Sequence, residues 1–109
     1  MAEAAGLHLT DQNFDETLAA HSGLLMVDFW AEWCQPCRAV APVLEALAKD
    51  SAGKVTLAKV NVDENPSLAA RHGIRSIPTV LFVKQGKVVG DVVGAMSKAH
   101  FQKKIDDLA

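Results

Sequence analysis

The apolar positions of the chain follow two patterns, continuous runs and helical spacing. The run Leu24–Trp30, after the Ser22-Gly23 break, is almost entirely apolar and predicts a strand covered on both faces in the middle of a sheet. From Pro36 to about residue 50 the apolar residues recur at helical spacing, and Pro36 suits a first turn because its missing N–H would be unpaired there. Pro42 falls inside this predicted helix, so we expect a bend at that point.

Turn and capping residues predict the rest of the secondary structure. The expected strands are residues 6–9, 55–62, 79–83 and 87–92, and the expected helices begin at Asp11, at Asn65-Pro66 and after Ser97. Thr10 can cap the first of these helices with its hydroxyl group. The order of elements predicts an α/β fold, with a central five-stranded mixed sheet flanked by four helices.

Length and charge narrow the class of protein. With 109 residues the chain is expected to form a single domain, residues 1–109. Its formal net charge of -2 gives no general attraction for nucleic acid or an anionic membrane, so neither is an expected partner. The first residues hold no basic region or long apolar stretch, and residues 24–31 are too short to span a bilayer. We therefore expect a cytoplasmic protein.

The two cysteines, Cys34 and Cys37, stand three positions apart at the predicted start of a helix. This spacing puts both side chains on one helix face, which suits the Cα separation of about 5.5 Å that a disulfide needs. The unpaired N–H groups and positive dipole of a helix start favour thiolate over thiol. We predict a redox pair in which Cys34 is the exposed nucleophile and Cys37 is the buried resolving thiol.

Residues 28–37, with the sequence DFWAEWCQPC, resemble the active-site segment of the thioredoxin family. The resemblance extends from about residue 7 to residue 109 and implies the thioredoxin fold. It departs from the family at Gln35, where glycine is usual, and in the family the residues between the cysteines, here Gln35 and Pro36, tune the redox balance. The other matching positions are Lys59, Asn61, Asp63, Ile77-Pro78-Thr79, Gly86 and Val93-Gly94.

Asp28 and Lys59 are charged residues inside predicted strands. Burial of Asp28 would raise its pKa and allow proton exchange near neutral pH, whereas the alternative is a strand-end acid that reaches solvent. The resemblance implies that Asp28 is the general acid/base for Cys37, acting through water, and that Lys59 tunes it. The alternative for Lys59 is an exposed lysine on a strand face.

The resemblance also implies where a protein substrate binds. It places a cis peptide bond before Pro78, against the dithiol, and leaves the backbone of Ile77 free to pair with an extended substrate segment. An apolar docking surface is implied around these residues, although core packing is the alternative for its valines. Its other members are Trp33, Val62, Val93, Gly94 and Ala95.

The implied activity is reduction of disulfides in proteins, by a monomer that holds no bound cofactor. Electrons would come from NADPH through thioredoxin reductase and be stored as the Cys34-Cys37 dithiol. The rival functions are a zinc-binding module, an oxidant or isomerase on the same fold, and a binding subunit without turnover. The chain has no second C-x-x-C pair, and its four histidines, which have no ligand-like spacing, are expected at the surface.

Overall fold

One mixed β-sheet organises the protein, and the computed structural model describes residues 7–109. The strand order across the sheet is β1-β3-β2-β4-β5, which places the apolar strand β2 in the centre. The elements in chain order are β1 (Leu7–His8), α1 (Phe14–Ala20), β2 (Leu24–Trp30), α2 (Gln35–Asp50), β3 (Val55–Asn61), α3 (Pro66–Arg71), β4 (Thr79–Lys84), β5 (Lys87–Val93) and α4 (Lys98–Leu108).

The pairing of the strands confirms the predicted mixed sheet of five strands with four helices. β3 runs parallel to both β1 and β2, while β4 runs antiparallel to both β2 and β5. A tight turn joins β4 to β5, as the predicted hairpin requires, and its residue Gln85 has a positive φ of 52°.

Burial on both faces of β2 explains its continuous apolar run. Leu24 and Met26 pack in one core cluster with the α2 residue Leu44 and the α4 residue Phe101. The intervening residues Leu25, Val27 and Phe29 pack on the other face with Phe14 of α1 and Leu68 of α3. A strand covered on both sides has no solvent face on which to place polar residues, and so the alternation disappears.

The structure moves some predicted boundaries at the amino-terminal end. The helix expected from Asp11 begins at Phe14, because Thr10 and Asn13 bond each other and close a separate turn first. The Asn13 N–H donates to Thr10 Oγ1 at 3.2 Å, and the Thr10 N–H donates to Asn13 Oδ1 at 2.8 Å. The first strand is confined to Leu7–His8 in the described residues, and the predicted start at residue 6 lies outside them.

Helix α2 begins where the chain leaves the carboxyl end of β2. It starts at Gln35, one residue before Pro36, and continues through Pro42 to Asp50 as a single helix. Its buried side chains, Cys37, Val40, Leu44 and Leu47, lie along the face turned to the sheet. This arrangement holds the start of α2, with both cysteines, at the carboxyl end of the central strand.

Candidate functional site

Cys34 and Cys37 form a disulfide with their Cα atoms 5.3 Å apart. Cys34 is the N-cap residue of α2, with an extended backbone, and its sulfur accepts a hydrogen bond of 3.2 Å from the Cys37 N–H. Pro36, which has no N–H, lies between them in the first helical turn. One free donor of the helix start, the Cys37 N–H, is thus directed at the sulfur of Cys34, an environment that stabilises negative charge there.

The expected exposure of Cys34 is wrong for the disulfide form. Cys34 is only 3% exposed and Cys37 only 2%. The two sulfurs are covered by a small apolar cluster with Ala31, Trp30, Val62 and Ile77, and Cys34 Sγ lies 3.8 Å from the Ile77 carbonyl oxygen. The chain exposes the neighbours of the pair, Trp33, Gln35 and Pro36, rather than the sulfurs themselves.

The loop before β4 faces the disulfide, and its Ile77-Pro78 peptide bond is cis, as the family resemblance implied. The Gly94 N–H donates to the Pro78 carbonyl at 2.8 Å, and Thr79 Oγ1 donates to the Ser76 carbonyl at 2.6 Å. Within residues 7–109, neither the N–H nor the C=O of Ile77 is paired with another backbone group. A short backbone edge is therefore available next to Cys34.

A groove of about 390 Å³ opens beside this loop. It is lined by three of the predicted docking residues, Trp33, Val62 and Ile77, together with Ala69 and residues 74–76. Val93 and Gly94 do not line the groove, but the Gly94 N–H is bonded to the carbonyl of the buried Pro78. Val93 is 55% exposed, so core packing does not account for it.

Trp33 stands out from the surface, 68% exposed, and a hydrogen bond fixes its indole ring. Its Nε1 donates to Asp63 Oδ2 at 2.8 Å, and Asn61 Oδ1 accepts from the Asp63 N–H at 2.9 Å. Sequence reasoning noted Asn61 and Asp63 only as matching positions and missed this role. The available signal was their place at the end of β3 and just after it, because the carboxyl end of β3 lies beside that of the parallel β2.

Asp28 is 1% exposed, which excludes the alternative of an acid that reaches solvent. It lies two residues after Met26 and so on the sheet face that α2 covers. Neither of its carboxylate oxygens has a hydrogen-bond partner among the described residues. Burial raises the pKa of Asp28 to about 7, and the positive charge of Lys59 opposes that rise.

Lys59 is aligned with Asp28 across the β2–β3 pair, but its ammonium group pairs with a different acid. Lys59 Nζ lies 3.6 Å from Glu45 Oε2 on α2 and 5.5 Å from the ring centre of Trp30. The side chain of Lys59 is 12% exposed, so the alternative of an exposed lysine is wrong. Glu45 was not found from the sequence, because the pattern alone does not show which acid on α2 reaches β3.

Two histidines, His21 and His72, depart from the expectation that all four lie at the surface, because each is partly buried. His72 is partly buried, with its ring 5.0 Å from that of Phe14 and 5.8 Å from that of Phe29. It is the residue directly after α3, and its ring packs against one phenylalanine of α1 and one of β2. Its Nδ1 is 3.0 Å from the Leu68 carbonyl oxygen.

The described part of the chain carries neither a metal-binding cluster nor a membrane-spanning helix. Among residues 7–109 no group of three or more histidine, cysteine, aspartate or glutamate side chains is arranged to hold a metal ion. None of the four helices described is long and apolar enough to cross a membrane.

A disulfide at a helix start, facing a cis-proline loop and backed by a buried carboxyl group, defines a thiol–disulfide exchange protein. Two sulfurs held at bonding distance can open and close without rearrangement of the sheet.

Comparison with known proteins identifies the family. The family model described as Thioredoxin matches residues 5–107. The chain is 52% identical over 98 residues to a thioredoxin of Chlorobaculum thiosulfatiphilum, a match that covers 90% of this chain and 91% of that protein. It is also 52% identical over 98 residues to thioredoxin 2 of Chlorobaculum tepidum, covering 90% of each. A chloroplastic M-type thioredoxin of Pisum sativum is 46% identical over 98 residues, 90% of this chain and 57% of that protein. The chain belongs to the thioredoxin family, and its Cys34-Cys37 pair carries out dithiol–disulfide exchange.

Proposed function

We propose that the protein is a protein-disulfide reductase that takes electrons from NADPH through thioredoxin reductase and passes them to disulfides in other proteins. The observation that carries this proposal is the position of the Cys34 sulfur, which accepts a hydrogen bond from the Cys37 N–H at the start of α2 and lies next to Ile77, whose backbone has no backbone partner among the described residues. It joins a stabilised thiolate to a place where an extended peptide can bind.

The exchange proceeds in two balanced steps. The Cys34 thiolate attacks one sulfur of the substrate disulfide, forming a mixed disulfide and releasing the first substrate thiolate. The Cys37 thiolate then attacks Cys34 Sγ, which closes the Cys34-Cys37 disulfide and releases the second substrate thiolate. The substrate gains two electrons, and two protons complete its thiols. The 5.3 Å Cα separation suits the closing step.

Asp28 serves the second step as the general acid/base for Cys37. Its pKa of about 7 is suited to accepting a proton at neutral pH. Because both carboxylate oxygens are buried without partners among the described residues, a bound water molecule is the expected carrier to the thiol of Cys37. Lys59 tunes this group through its positive charge.

Substrate binding combines backbone pairing with apolar contact. Ile77 pairs with an extended segment of the substrate as an added strand, and Trp33 and Val62 hold its apolar side chains in the groove. Pro78, Val93 and Gly94, linked by the hydrogen bond from the Gly94 N–H to the Pro78 carbonyl, contribute further substrate contacts outside the groove. Backbone pairing needs no particular side chain, which suits a reductase with many substrates.

We also propose the cellular setting in which this activity takes place. The protein acts as a monomeric single domain, residues 1–109, in the cytoplasm, and its partners are thioredoxin reductase and disulfide-containing proteins. It keeps its electrons in the dithiol and needs no bound cofactor. Gln35 and Pro36, both exposed and placed between the two cysteines in the sequence, help to tune the redox balance.

The test is NADPH oxidation in the presence of thioredoxin reductase and insulin, whose disulfides serve as the substrate. Steady turnover that is lost in Cys34→Ser is the expected result. The lack of turnover with a reductase from a matched source would overturn the proposal. Stoichiometric zinc in the reduced protein, measured by elemental analysis, would favour the metal-binding module instead.

A further inference from the structure

The ammonium group of Lys59 stands between two acids on the α2 side of the sheet. Glu45 of α2 approaches it directly, with 3.6 Å between Glu45 Oε2 and Lys59 Nζ. Asp28 lies beside Lys59 in the β2–β3 register, and its carboxyl group is influenced by the charge of Lys59 without accepting a hydrogen bond from it. A single cation therefore faces one exposed acid and one buried acid.

We propose that Glu45 is a positioning residue, which holds the ammonium group of Lys59 at the surface of α2 and so limits the positive charge that reaches Asp28. This inference rests on the role proposed above for Asp28 and adds a residue to it. Trp30 supports the same placement, because the Lys59 ammonium lies 5.5 Å from the centre of its ring.

Among the residues that pack near Asp28, Lys59 and Glu45 supply the charges that can change its pKa. On the β4 side, the residue aligned with Asp28 is the apolar Val80. The buried residues of α4, Phe101 and Ile105, carry no charge. On α2, the titratable group on the buried face is Cys37, which the disulfide removes from titration in the oxidised protein.

Elementary electrostatics fixes the direction of the effect. A positive charge near a buried carboxyl group favours its ionised form, and an acid that pairs with that positive charge weakens the effect. Removing the charge of Glu45 should therefore lower the pKa of Asp28. The side chain of Glu45 is 41% exposed, so solvent moderates the interaction and its removal does not empty the core.

The position of Glu45 also makes it accessible from outside. It lines a second groove, of about 850 Å³, formed by residues of α2 and β3, together with Pro42, Ala46 and Lys49. The charge on Glu45 can thus be changed without altering a residue that touches the disulfide.

The experiment is an NMR titration of the Asp28 carboxyl carbon in the oxidised protein, compared between the unchanged chain and Glu45→Gln. The substitution is expected to lower the titration midpoint by about half a pH unit. Asp50→Asn is the matched control, because Asp50 is an exposed acid on the same helix that pairs with Lys98 instead, at 3.3 Å. It should leave the midpoint in place.

A second comparison tests whether the effect passes through Lys59. In a Lys59→Met background, Glu45→Gln should no longer move the Asp28 midpoint. A shift that persists there, an equal shift in Asp50→Asn, or no shift in Glu45→Gln would overturn the inference. The titration needs neither reductase nor substrate, so its result is separate from the insulin assay that tests the proposed function.

Discussion

The two sides of the Cys34-Cys37 disulfide are built from different chemistry. On the solvent side, the backbone of Ile77 lies next to Cys34, and an apolar groove opens beside Ile77 and Trp33. On the sheet side, Asp28 and Lys59 place ionisable groups behind the helix that carries Cys37. The difference suggests a division of work, in which one side binds substrates of many sequences and the other handles protons away from solvent.

The largest expected effect is that of Asp28, on the sheet side of the disulfide, on the stability of the protein. Because burial raises the pKa of Asp28 from 3.8 to about 7, the folded state keeps a proton that the unfolded state has lost. Stability therefore falls as the pH rises from about 4 to about 7. The shift is worth up to about 4 kcal/mol above that range. Asp28→Asn should remove this fall and raise the free energy of unfolding at pH 8, measured by urea titration of the oxidised protein.

The comparison at low pH is the control for this prediction. At pH 3.5 the Asp28 carboxyl group is largely protonated in the folded state, so Asp28→Asn should change stability little there. An equal gain at pH 3.5 and pH 8 would mean that packing, and not ionisation, separates the two proteins.

The rate of reduction should respond to the same residue. Asp28→Asn is expected to slow insulin reduction at pH 7 by about tenfold to a hundredfold, because Cys37 loses its proton acceptor. The dependence of the rate on pH should lose the transition near pH 7 that Asp28 supplies. Unchanged rate and pH profile would remove Asp28 from the mechanism.

The solvent side should affect substrate binding instead. Trp33→Ala is expected to raise KM for insulin about fivefold, through loss of apolar contact, with little change in kcat. Asp63 accepts the hydrogen bond that fixes the Trp33 indole. Asp63→Asn removes the charge of this acceptor and should also raise KM, but to a smaller extent. Steady-state kinetics of both variants makes the comparison, and a loss confined to kcat would contradict the division between the two sides.

Gln35 should have the smallest effect of these residues. It is uncharged and exposed, so Gln35→Gly is expected to move the reduction potential by less than about 30 mV, which is tenfold in the equilibrium constant. Equilibration of the dithiol against glutathione measures the potential. A larger shift would show that Gln35 contacts the sulfurs in a way that its exposure does not indicate.

The two sides also differ in how far the sequence predicts them. The apolar run of β2 and the cysteine spacing at the start of α2 follow from local rules, so the central strand and the disulfide were predictable. Contacts between distant segments of the chain were not predictable. Two examples are the pairing of Glu45 with Lys59 and the packing of His72 against two phenylalanines. The burial of Cys34 depends likewise on Val62 and Ile77, which come from other elements.

In the proposed exchange, Cys34 attacks the substrate and Cys37 resolves the mixed disulfide. Mass spectrometry of reduced Cys37→Ser, incubated with a disulfide-containing protein, tests it most directly. We predict a stable covalent complex joined through Cys34, and none with Cys34→Ser. A complex that forms through Cys37 in Cys34→Ser, with none in Cys37→Ser, would reverse the assignment and contradict the account.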